Sequence, residues 1–161
     1  MPAQHGHSHD TKNAYRRFVA MVAAATVVMY GLMYLNTYSF GHVFWSETRV
    51  YMALLMGGVM AIIMLVFMWG MLRSSRANVA ILGGGAVVFV LSLWLMRSQR
   101  TVDDVDYMRA MIPHHSIAIL TSERAKIRDP RVRELADQII ESQRQEIAEM
   151  KRLIADFERA D

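Results

Sequence analysis

Three long apolar runs, at residues 18–35, 50–72 and 78–96, dominate the first hundred positions of the chain. Between Phe18 and Met96 charge is confined to Glu47, Arg49, Arg73 and Arg76. A helix needs about 20 mainly apolar residues to cross the hydrocarbon, because every backbone amide must be satisfied within the segment. Each run therefore predicts a transmembrane helix. Tyr30, Tyr34, Trp45, Tyr51, Trp69 and Trp94 fall near the ends of the runs, where aromatic side chains favour the membrane–water interface. The first run is too long and too Tyr-rich for the apolar part of a signal peptide, and no small-residue cleavage site follows it, so it reads as retained.

Beyond Arg97 the pattern turns polar and periodic. Thr101-Val102-Asp103-Asp104 carries the cap and first-turn acids that open a helix, and Asp129-Pro130 marks a second start. Two helices follow, over about 103–127 and 130–158, with a kink or a late start expected at Pro113. The chain thus reads as all-α in three parts: a His-containing N-terminal tail (1–17), a three-helix transmembrane region (18–96) and a helical hairpin (101–158).

On the second hairpin helix Ala136, Ile139, Ile140, Gln143, Ile147, Met150, Ile154 and Phe157 share one stripe. Gln143 is the polar residue in that stripe, and it either bonds a partner helix or orients a metal ligand. A hairpin of this size cannot bury its stripe alone. The stripe predicts a homo-oligomer in which two hairpins complete a four-helix bundle, or else docking on the membrane helices.

Composition agrees with this segregation: 53% of the 161 residues are hydrophobic, yet 20% are charged. Cysteine is absent, which excludes disulfides, thiolate catalysis and zinc–thiolate sites. The net charge of +3 is small, and its cations lie at membrane edges or alternate with acids, so no nucleic-acid partner is expected. Lys12, Arg16, Arg17, Arg73 and Arg76 outnumber Arg49, Arg97, Arg100 and Arg109 across the expected spans. That bias places the N-terminus in the cytoplasm and the hairpin in the periplasm of a bacterial inner membrane.

Fourteen methionines are the other compositional signal. Met52, Met56, Met60, Met64 and Met68 recur at every fourth position of the second run and Met29 and Met33 repeat the step on the first. Such a ridge either packs irregular helix interfaces or forms a thioether track for a soft ion. The glycines Gly57, Gly58, Gly83, Gly84 and Gly85 point to close helix approach. On the first hairpin helix Met108, Met111, His114 and His115 fall in an arc of about 120°. Thioether and imidazole together suit Cu(I) or Ag(I), and imidazole also suits Cu(II); the same residues serve equally as core. His5, His7 and His9 in the tail read either as a loose metal tract or as a polar leader.

The segment Y-M-R-A-M-I-P-H-H-S-I-A-I-L, followed by I-I-E-S-Q-R-Q-E-I-A-E-M, resembles domain-of-unknown-function family 305, a ferritin-like family that includes the copper-binding CopM proteins. The likeness covers roughly 102–157, and the N-terminal half resembles the family's membrane-anchored members, which are associated with copper or silver resistance. It implies metal-site roles for Met108, Met111, His114, His115 and Met150, with Gln143 and Glu146 as ligands or as partners of ligands. The family usually has methionine where this chain has Thr121, which removes one thioether.

The expected function is capture of Cu(I), possibly Ag(I) or Cu(II), for buffering, resistance or transfer, with the lipid bilayer and copper-handling proteins as partners. No catalysis is expected, since the E-x-x-H pairs of di-iron oxidases are missing. The alternative is a membrane scaffold whose hairpin drives oligomerisation.

Overall fold

A computed structural model describes the backbone of residues 5–160 and the side chains of 11–159. Five α-helices follow in order: α1 (His5–Leu32), α2 (Glu47–Phe67), α3 (Ser75–Ser98), α4 (Asp104–Arg124) and α5 (Pro130–Ala160), with a 3₁₀ turn at Phe40–His42. No strand occurs among the described residues. Three stretches, Thr11–Leu32, Glu47–Phe67 and Ser75–Ser98, are helices long and apolar enough to cross a membrane.

The chain divides into two compact units. One holds α1 up to Gly31 with Val50–Arg100; the other joins the loop Leu32–Arg49 to Thr101–Asp161. In the first, Phe18, Leu65 and Leu72 form a small buried core with Tyr15, Met64 and Met68 packed against it. The helices approach closely where side chains are smallest. A Cβ on Gly58 would lie 2.9 Å from the Gly85 carbonyl oxygen, and one on Gly57 would collide with the Thr26 hydroxyl. Gly83 and Gly84 face open space, so the expectation of close approach holds for three of the five glycines.

Helix ends follow local chemistry. Helix α2 stops at Phe67 rather than at residue 72, and the chain turns through Met68–Met71 so that Leu72, 1% exposed, folds back into the core. Ser74 caps α3 by accepting from the Ala77 N–H, and Gln99 ends it in the left-handed region at φ 51°. Asp103 caps α4 through the Asp106 N–H. Helix α4 runs continuously through Pro113, so the late start that proline could impose is absent. Pro130 opens α5, where its missing N–H costs nothing. Helix α1 begins at His5, so residues 5–17 of the expected tail are helical. The side chains of His5, His7 and His9 lie outside the described residues.

In the second unit Met108, Ile112 and Ile119 of α4 bury against Ile140, Ile147 and Ile154 of α5. The α5 stripe is narrower than its sequence suggests: Ala136, Ile140, Ile147 and Ile154 are buried and Gln143 and Met150 half-buried, whereas Ile139 and Phe157 are exposed. The loop 32–49 completes the core. Phe44 packs on the Ile cluster, and the Tyr38 N–H donates to the fully buried Ser116 hydroxyl at 2.7 Å. Arg49 donates to the Met33 carbonyl and lies 4.2 Å over the Tyr34 ring, tying the two ends of the loop together.

Candidate metal centre

Helical spacing sets which residues of the hairpin meet. His115 lies one turn beyond Met111 on α4, and Ser142, Gln143 and Glu146 lie within one turn of each other on α5. The two helices bring His115 Nε2 to 2.6 Å from Glu146 Oε2. Gln143 Nε2 donates to the same oxygen at 3.3 Å, and the Ser142 hydroxyl donates to Glu146 Oε1 at 2.7 Å. The carboxylate therefore collects donors on both oxygens. The Ser142 hydroxyl is the largest influence and holds the Glu146 carboxyl below its ordinary value; burial opposes it, and the hydrogen bond and charge of His115 add to the lowering. A carboxylate that stays charged accepts from Nε2–H, and in the imidazole tautomer with its proton on Nε2 the lone pair lies on Nδ1. That nitrogen is buried and has no hydrogen-bond partner.

The remaining candidates divide by environment. Met108 and Met150 lie in or against the Ile core of the hairpin. Met111 is half-buried, and His114 is exposed, its ring and that of His115 meeting edge-to-face with centroids 6.3 Å apart at 64°. Thr121 turns its hydroxyl back on the Ile117 and Ala118 carbonyls at 3.0 and 3.1 Å, away from the site. Gln143 bonds across one turn of its own helix to Glu146, not to the partner helix; it reaches His115 of α4 only through the shared carboxylate. Among the described residues no three His, Asp or Glu side chains form a cluster able to hold a metal ion.

Neither Ser142, Ser116 nor His42 stood out in the sequence. Ser142 carries a local signal, since it lies four residues before Glu146 on one helix face. His42 carries none: its Nδ1 reaches the Ser116 hydroxyl at 3.0 Å across 74 positions. Burial, and then the charge of Lys151, keep its pKa below the usual histidine value.

The Met ridge of α2 is divided between environments. Met64 and Met68 pack on the Phe18–Leu65–Leu72 core, while Met56 and Met60 line an outward surface groove of about 420 Å³ with Leu55, Val59 and Ile63. Met52 is 40% exposed.

Fold and site define an all-helical protein in which three helices of membrane-crossing length accompany a polar hairpin clamped by a His–Glu pair. The model of the domain of unknown function (DUF305) matches residues 95–161. An uncharacterized protein, L153, of Acanthamoeba polyphaga mimivirus is 33% identical over 137 residues, 83% of this chain and 88% of the relative, so the likeness reaches well into the apolar helices. The chain belongs to the DUF305 family. No solved structure matches it.

Proposed function

We propose that this chain is a membrane-anchored protein that binds Cu(I), or Ag(I), on its hairpin and buffers the ion or passes it on. The observation that carries the reading is the Nδ1 of His115, buried without a partner while Nε2 is held by Glu146. A buried polar atom left unpaired calls for a missing partner, and a histidine anchored to a carboxylate through one nitrogen offers the other to a metal. Met111, one turn away, supplies the nearest thioether in sequence. Met108, Met150 and His114 complete the candidate set, with Glu146 holding the imidazole and Gln143 bonded to Glu146. Thioethers and imidazoles suit a soft ion and resist the oxidation that thiolates suffer outside the cytoplasm.

Three crossings would put the loop 32–49 and the hairpin on the same side of the bilayer, and the Tyr38–Ser116 bond between them fits that topology. The excess of cations at the other end of the spans supports a cytoplasmic N-terminus and a periplasmic hairpin in a bacterial inner membrane. In this setting the hairpin is ferritin-like and pairs with a second copy.

Cu(I) titration of the detergent-solubilised protein against a competing chelator tests the reading. The wild type is expected to take up copper that the His114→Ala, His115→Ala variant loses by at least tenfold in affinity. Equal uptake by the two proteins would sink the site. A second reading, a scaffold that only oligomerises, draws on the exposed Val132, Leu135, Leu153 and Phe157 of α5. Under that reading copper uptake is absent in both proteins while self-association persists.

A further inference from the structure

One end of the membrane-length unit gathers cations; Asp10 is the one acid in the unit's sequence, and its side chain lies outside the described residues. Tyr15 of α1 is bound to the turn before α3: the Ser74 N–H donates to its hydroxyl oxygen at 3.1 Å, and the hydroxyl lies 2.7 Å from Asn78 Oδ1. Asn78, 2% exposed, donates its Nδ2 to the Leu72 carbonyl at 2.8 Å. This closed network fixes Lys12, Arg16 and Arg17 at the same end as Arg73 of the turn and Arg76 of α3. All five are exposed, and none forms an ion pair with a described residue. From Thr11 to Gly31 and from Val50 to Arg100 the unit contains no Asp or Glu.

The outer face of α1 adds shape to this charge. Asn13, Arg16, Arg17 and Ala20 line an open hollow of about 490 Å³. At steps of three and four the face continues from Arg17 through Ala20, Ala24 and Val27, all exposed. A bare inorganic anion has no use for that apolar strip.

We propose that this end of the unit binds an anionic phospholipid. Arg16 and Arg17 take the headgroup phosphate in the hollow they line, and an acyl chain lies along Ala20, Ala24 and Val27. Guanidinium groups match phosphate oxygens two at a time, and each cation at a membrane surface strengthens the hold on anionic lipid. The proposal needs α1–α3 to lie in a bilayer and is independent of the metal reading.

Native mass spectrometry of the full chain in neutral micelles doped with phosphatidylglycerol or phosphatidylcholine tests it. The wild type is expected to retain one phosphatidylglycerol at least about tenfold better than phosphatidylcholine. Arg16→Gln with Arg17→Gln should remove most or all of that preference, since each surface cation is worth several-fold in binding anionic lipid. Arg97→Gln with Arg100→Gln, at the far end of α3, should leave it intact; circular dichroism checks that both variants remain helical. Equal retention of the two lipids by the wild type overturns the proposal, as does an equal loss in both variants, which would reflect net charge alone. Displacement of the lipid by millimolar inorganic phosphate overturns it in favour of a free-phosphate site. Recovery of the protein from cells without detergent would instead overturn the bilayer reading itself.

Discussion

The two ring nitrogens of His115 have opposite fates, and the difference lies in one carboxylate. Glu146 engages Nε2, while Nδ1 is buried and bonds nothing. If the imidazole is oriented in this way for a metal, Glu146→Ala should lower Cu(I) affinity about 10- to 100-fold, the usual effect of removing the partner of a metal-bound histidine. Glu146→Gln keeps an acceptor oxygen and should lose less. Affinity unchanged in both, measured by chelator competition, would show that the clamp has no part in binding. Part of this arrangement was legible in the sequence, where Gln143 broke an apolar stripe with Glu146 one turn on. Ser142 and the isolation of Nδ1 were not, because side-chain pairing across two helices depends on their rotation about one another. The same limit applies to Thr121, whose satisfied hydroxyl only the folded helix reveals.

Among elements, the glycines of α2 and α3 differ sharply despite similar sequence surroundings. A side chain at Gly58 meets the backbone of α3, which cannot swing aside, while one at Gly83 meets nothing within 4 Å. Gly58→Val should therefore destabilise the helix unit by several kcal/mol, within the range of overpacking and backbone displacement, and Gly83→Val should be close to neutral. Thermal unfolding in detergent with equal midpoints for the two variants would remove Gly58 from the helix contact. Apolar run length, Asp103 and Pro130 located the helices well, since the first demands burial or lipid and the others act within a single turn. The early end of α2 was hidden because residues 68–72 are as apolar as the helix before them. Their tertiary packing, with Leu72 turned into the core, decides the boundary.

At the scale of the whole molecule, the loop between the first two long helices belongs structurally with the last two. The Tyr38 amide, His42 and Phe44 pack on α4 and α5 across more than seventy positions, a distance at which no periodic pattern gives warning. Docking of the loop should respond to pH through His42. Its folded pKa lies below the ordinary histidine value of 6.5, by burial first and Lys151 second, so on acidification the unfolded loop takes up the proton sooner. Docking is then full above about pH 6.5 and weakens as pH falls below it. Hydrogen exchange at the Tyr38 amide, corrected for intrinsic rate, should show less protection at about pH 5.5 than at 7.5, and His42→Phe should abolish the difference. Persistence of the difference in that variant would assign it to another group. The interleaving of the chain also governs biosynthesis. The loop leaves the ribosome while the helix that will cover it is still unmade, and two long apolar segments must be placed in the interval. Assembly of the hairpin unit therefore waits until α4 and α5 have been made, and a product truncated after α3 would carry Tyr38 and Phe44 uncovered, an unfinished surface by which a cell's quality control can recognise it.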